Sequence, residues 1–114
     1  MEIVKFADAP LYTLPDHEEV VAKRLQGGNA SSADFAMIGH SHFPPQAVVP
    51  TGAGAIGKVY VVTEGVLVVE QSDGVRHVLR ALDSIFIPAG EARAVRNESG
   101  APAAMIVITP PAPR

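Results

Sequence analysis

The chain has 114 residues, nine basic and twelve acidic, with a net charge of −3; that length suits one domain able to bury a core without cross-links. It has no cysteine, which excludes disulfide scaffolds, cysteine-ligated zinc and thiol nucleophiles. It shows no Lys/Arg cluster suited to nucleic acid, no apolar run near the roughly 20 residues of a membrane span, and no signal-peptide pattern in MEIVKFADAP. The composition therefore reads as a cytoplasmic protein with neither nucleic acid nor membrane as partner.

Fifteen Val and seven Ile against six Leu favour β structure, because branching at Cβ suits a pleated surface. Ten Gly and ten Pro punctuate the whole chain. Near the N-terminus, Asp16 to Glu19 ahead of Val20, Val21 and Leu25 suits a short helix start. A strand from Val20 to Leu25, with Val20, Ala22 and Arg24 on one face, is preferred because no helical apolar stripe develops. Gly27 to Ser32 reads as a flexible loop. Strands are then expected over Lys58–Val62, Val66–Gln71, Val75–Arg80, Ser84–Pro88, Glu91–Asn97 and Ala103–Thr109, each bounded by turn residues. Met37, Met105 and the four phenylalanines read as core. Residues 1–33 form an N-terminal strand and loop region, 34–109 the barrel core, and 110–114 a mobile Pro-rich tail. The whole is a single all-β domain, a sandwich or barrel.

From Phe43 to Asn97 the sequence resembles the cupins, small jelly-roll-like barrels built as a double-stranded β-helix. The first family motif ends on Gly65, which puts its opening glycine on Gln46, its two histidines on Gly52 and Gly54, and its glutamate on Lys58. The second motif matches at Pro88, Gly90 and Asn97; its opening glycine falls on Leu82 and its histidine on Arg93. The spacing is kept while all four ligand positions are replaced. Glycine offers no side-chain lone pair, and ammonium and guanidinium groups repel a divalent ion. The resemblance implies the barrel without its usual metal, and no cofactor is expected.

Carried onto this sequence, Lys58 and Arg93 point from adjacent strands into the barrel, with Tyr60 on the face of Lys58 and Asn97 on that of Arg93. Two cations in an apolar cavity call for an anion, so Lys58, Arg93, Tyr60 and Asn97 are candidate ligand-binding residues for a small anionic or polar molecule. The alternative is that both stems reach the barrel mouth and pair with Glu64, Glu91 or Asp83.

His40-Ser41-His42 offers two imidazoles on one strand face. His40 and His42 are expected to line the same cavity, or to form a displaced metal site, for which spacing fixes no third ligand. His17 and His77 read as surface or satisfied histidines. The glycines of Gly52-Ala53-Gly54-Ala55-Ile56-Gly57 match a dinucleotide fingerprint, but a strand follows where that motif requires a helix. Two functions remain: a metal-independent binding protein for a small anion, or a metal-independent isomerase, epimerase or lyase using His42, Tyr60 or Lys58 as acid and base. A homodimer paired through sheet edges is expected, since pairing covers unbonded backbone groups.

Overall fold

The computed structural model describes residues 1–111. After a single 3-10 turn at Phe6–Asp8 come β1 (Leu11–Tyr12), β2 (Val21–Gln26), β3 (Met37–Phe43), β4 (Val48–Gly52) and β5 (Lys58–Glu64). Then follow β6 (Val66–Gln71), β7 (Arg76–Arg80), β8 (Ser84–Ile87), β9 (Arg93–Arg96) and β10 (Ala103–Thr109). All pairings are antiparallel and make two sheets, ordered β1-β2-β3-β10-β5-β8 and β4-β9-β6-β7. Among the described residues there is no α-helix, and none long and apolar enough to cross a membrane. The fold is all-β, two packed sheets of a jelly-roll-like barrel.

Strand alternation decides what lies between the sheets. Phe43, Tyr60, Val62 and Met105 project from one sheet onto Leu67, Val69 and Val95 of the other. The N-terminal segment follows the strand reading, and β2 joins the sheet through β3, with Val21 opposite His42 and Lys23 opposite His40. Of the four phenylalanines expected in the core, only Phe43 is buried there. Phe6, Phe35 and Phe86 are exposed, because each lies outside the intersheet space: Phe6 in the 3-10 turn, Phe35 before β3, and Phe86 on the outer face of β8. Of the tail expected at 110–114, residues 112–114 lie outside the described residues.

Asn97 ties three connections together. Its Nδ2 donates to the carbonyls of Phe43 at 3.0 Å, Pro44 at 3.2 Å and Ala101 at 2.8 Å, while its Oδ1 accepts from the Ser99 backbone N–H and hydroxyl. Fully enclosed and committed to backbone, it does not line the cavity as expected; it closes the barrel end. Gly65, at φ +69°, could not be replaced cheaply, since a Cβ there would stand 2.5 Å from the Pro102 carbonyl oxygen.

Gln46 and Leu82, which stand where the family motifs carry glycine, also adopt left-handed backbone, at φ 69° and 73°. The turn geometry is retained without the residue that adopts it freely, at a cost of order 1–2 kcal/mol per position. Leu82 is 83% exposed and gives little packing in return. Leu82→Gly is therefore expected to stabilise the fold by up to about 1 kcal/mol after the larger backbone entropy of glycine is deducted, read as a higher urea midpoint; a lower midpoint contradicts the strain assignment.

Candidate functional site

One end of the barrel stays open. The cavity there measures about 240 Å³, and its wall is mainly apolar, including Phe43, Val49, Val95, Met105 and Val107. Lys58 and Tyr60 enter it from β5, Arg93 from β9, and Arg24 from β2. Lys58 and Arg93 thus face each other from opposite sheets rather than projecting from adjacent strands, because β5 and β9 belong to different sheets. Across β4 and β9 the register pairs Gly52 with Arg93 after an irregularity following Val49, and this brings the Gly52 carbonyl against the guanidinium.

Arg93 is 7% exposed and held by neutral acceptors. Its Nε and Nη2 both donate to the Tyr60 hydroxyl oxygen, at 3.1 and 2.8 Å, and its Nη1 donates to the Gly52 carbonyl at 2.9 Å. A guanidinium has five N–H donors, so one proton on each Nη remains for another acceptor. With two donors already directed at its oxygen, Tyr60 keeps its own O–H to give. Burial pushes the Tyr60 phenol up, against the opposing pull of Arg93, so the hydroxyl stays protonated at neutral pH.

Lys58 has no hydrogen bond or ion pair with any described residue, nor does it meet Glu64, Glu91 or Asp83. Its Nζ lies against Gly54, where an added Cβ would stand only 2.5 Å away. The loop carrying Gly54 is fastened by a 2.8 Å bond from the Gly90 N–H to the Gly54 carbonyl, linking it to the Pro88-Ala89-Gly90 turn. Burial, and then the charge of Arg93, lower the Lys58 amine below the ordinary lysine value. Among the described residues no carboxylate lines the cavity, whereas Arg24, Lys58 and Arg93 all do. In a chain of net negative charge, this interior is positive.

The histidines are placed differently from expectation. His40 and His42 stand on the outer face of β3, because the alternation turns Ser41 and Phe43 inward. They border a separate recess with Phe6, Val21, Lys23 and Glu64, where the Phe6 ring meets His40 edge-on at 4.9 Å. Burial, then the neighbouring His42, lowers the His40 imidazole. Among the described residues no three His, Asp or Glu side chains gather as an ion would require. At the family's ligand positions, Gly52 and Gly54 have no side-chain donor and the Arg93 guanidinium offers no lone pair, which leaves the Lys58 amine as at most one nitrogen donor beside a fixed cation, so the donor set does not fit a divalent metal. His77 bonds Gln71 at 2.6 Å and His17 is satisfied through its Nδ1 at the Pro15 carbonyl at 2.7 Å, as expected of surface or satisfied histidines, although His17 also borders the cavity.

Three cavity residues escaped the motif reading. Arg24 lies 4.2 Å from the Tyr12 ring centroid, and Tyr12 shares a hydrogen bond with Ser41, forming a second polar group at the mouth. The signal for Arg24 was its alternation with Val20 and Ala22. That for Ser41 was its phase with Phe43. Nothing in a two-residue strand such as β1 announces Tyr12.

These features define a class: a β-sandwich barrel with a small, mainly apolar, cation-lined cavity at one end. A profile of the cupin domain matches residues 39–109, and the chain belongs to that family. A beta-D-galactosidase of Mycobacterium tuberculosis is 35% identical over 107 residues, spanning 94% of this chain and 91% of the relative. Among solved structures, the polyketide cyclase RemF from Streptomyces resistomycificus superposes with a TM-score of 0.84 at 21% identity, over 96% of this chain and 79% of that one. A cupin-superfamily sugar phosphate isomerase from Silicibacter pomeroyi gives 0.80 at 20% identity, over 98% and 77%. At these identities the two structures speak for the fold alone.

Two outcomes test the site's energetics. Tyr60→Phe removes the acceptor of two guanidinium bonds, and a loss of about 1.5–3 kcal/mol is expected in urea unfolding; no loss would mean that Arg93 finds another partner. Because the folded protein lowers the Lys58 value, the unfolded chain binds more protons between the folded and ordinary lysine values, and stability rises with pH across that window. Lys58→Met should therefore raise Tm at neutral pH, with a gain that shrinks as pH climbs through the window. A gain that stays constant with pH excludes desolvated charge as the cause.

Proposed function

We propose that this cupin binds a small anionic or polar molecule inside the barrel, without the help of a metal. The observation that carries the reading is a cavity whose described wall holds three cationic side chains and no carboxylate. Uncompensated cations in apolar surroundings are costly, and an oxyanion is the partner that offsets them. Arg93 offers one free proton on each Nη and Lys58 a point charge, while the apolar wall takes a short carbon skeleton. A cavity of about 240 Å³ lies below the roughly 300–1,000 Å³ common for drug-sized ligands, which favours a molecule of few heavy atoms.

The name of the Mycobacterium tuberculosis relative points to a galactoside as ligand class, and a sugar-derived acid satisfies both that name and the cations. Hydrolysis of a glycoside in its usual form needs two carboxyl groups flanking the bond. Among the described residues the cavity wall supplies none, and Glu18 is the one carboxylate in the adjoining recess that shares Tyr12, His17 and Ser41 with it. That chemistry is not what this wall favours. A second reading, a metal-independent isomerase, epimerase or lyase, is supported by the lowered Lys58 amine beside the Tyr60 hydroxyl, a base and an acid on one strand face. His42 has no part in it, being on the other side of β3.

The test is a thermal-shift series with small carboxylic acids, sugar acids, sugar phosphates and neutral sugars, run beside hydrolysis of a nitrophenyl β-D-galactoside. Acids should raise Tm by several degrees in the wild type and by much less in Lys58→Met, since binding only the folded state stabilises it by RT ln(1 + [L]/Kd). Equal shifts from neutral sugars, or full acid shifts in Lys58→Met, overturn the anion reading. Galactoside turnover that survives Lys58→Met and stops with Glu18→Gln moves the chemistry to the mouth.

A further inference from the structure

Lys58 differs from the other two lysines of the chain. Lys23 is occupied at the surface: its Nζ donates to the Phe6 carbonyl at 2.8 Å and lies 4.4 Å over the Phe6 ring. Lys5 is exposed near the N-terminus. Lys58 alone projects into the open-ended, apolar-walled cavity, bonded to no described residue and lying against the bare backbone of Gly54. A structural lysine is normally tied to a carboxylate or a carbonyl. One with no such tie among the described residues, and with a second cation facing it, is arranged as a nucleophile.

We propose that Lys58 condenses with the carbonyl group of a small oxo acid, whose carboxylate is held by the two free N–H groups of Arg93. This rests on the reading of the cavity as an anion site and names the ligand class it would take. The Nζ lone pair attacks the carbonyl carbon and a nitrogen–carbon bond forms. The carbon–oxygen bond then breaks, and the oxygen leaves as water with one proton from the amine and one from solvent, leaving a protonated imine on Lys58. Atoms and charge balance without any oxidant or metal. The Tyr60 hydroxyl, fixed by Arg93 and on the same strand face as Lys58, is the group placed to relay that solvent proton, giving its own to the departing oxygen and regaining one from solvent. Burial and the Arg93 charge that lower the Lys58 amine add to the fraction able to attack at neutral pH. Gly54 is a positioning residue, since any side chain there displaces the amine.

The experiment incubates the full chain with pyruvate or acetoacetate and sodium cyanoborohydride, and locates reduced adducts by peptide mass spectrometry. One saturable adduct on the Lys58 peptide is expected, absent in Lys58→Met and slowed about tenfold or more in Gly54→Ala, because small misplacements of a reacting atom cost that much. Acetone, which lacks the carboxylate, should label Lys58 far more slowly. Thermal shifts with the same two acids are read in parallel. A Tm increase with no adduct overturns the condensation and leaves the anion site standing. Neither a Tm increase nor an adduct removes both, and equal labelling of Lys5, Lys23 and Lys58 reduces the reaction to ordinary surface chemistry.

Discussion

The site depends on keeping a guanidinium inside a barrel of aliphatic side chains. Arg93 gives up nearly all contact with water, yet what it receives from the protein is neutral: a phenol oxygen and a peptide carbonyl. Those partners satisfy three hydrogen bonds and leave the charge uncompensated. Several otherwise separate features follow. β4 departs from regular pairing so that the Gly52 carbonyl meets Nη1. Tyr60 is fixed at the centre of β5, its oxygen acting as a double acceptor. The field of that unneutralised cation also helps to lower the Lys58 amine.

The frame around this charge is conservative where the site is not. Asn97, Gly65 and the Pro88-Ala89-Gly90 turn keep their places in the family pattern, and each does backbone work: three carbonyls gathered by one amide, a left-handed turn, and a carbonyl–amide link to the loop of Gly54. Even where the motif glycines are lost, at Gln46 and Leu82, the backbone keeps the left-handed conformation. The topology demands those turns, and local strain of a kilocalorie or so is tolerated within a cooperative fold. A scaffold that holds its turns this firmly can exchange the side chains at its mouth and remain the same barrel.

That division explains what could be read from the sequence. Turn chemistry is local, so Gly65, Pro88 and the strands between them were legible, as were the positions of Lys58 and Arg93 relative to the motifs. Which sheet a strand joins is not local. Lys58 and Arg93 seemed to be neighbours on adjacent strands, and only the closure of two sheets sets them face to face. The phase of β3 was equally hidden, because Gly39-His40-Ser41-His42 mixes polar residues on both faces; Phe43, buried at the end of the run, is the residue that fixes it. A shift of one residue exchanges every inward and outward side chain, which is why His40 and His42 look toward Glu64 and Phe6 while a serine faces the cavity. Tyr12 was out of reach, since its strand is two residues long and gains meaning only by pairing with β2.

Lys58 and Arg93 stand where the family pattern places metal ligands, and a guanidinium and an amine differ from a metal ion in more than the identity of the positive charge. A divalent ion binds a ligand by accepting lone pairs at positions it can share with water. A guanidinium accepts none; it offers protons in a fixed plane, so recognition becomes a matter of hydrogen-bond direction. Its planar fork, already bonded at three protons, makes Arg93 the fixed member of the pair. Lys58 is the adjustable one, because an ammonium can shed its proton when its surroundings disfavour the charge. In the proposed anion site, Arg93, deep and with neutral partners, would hold the oxyanion, while Lys58, with no bonded partner among the described residues, would offer the lone pair. One metal ion could not divide those tasks between two atoms.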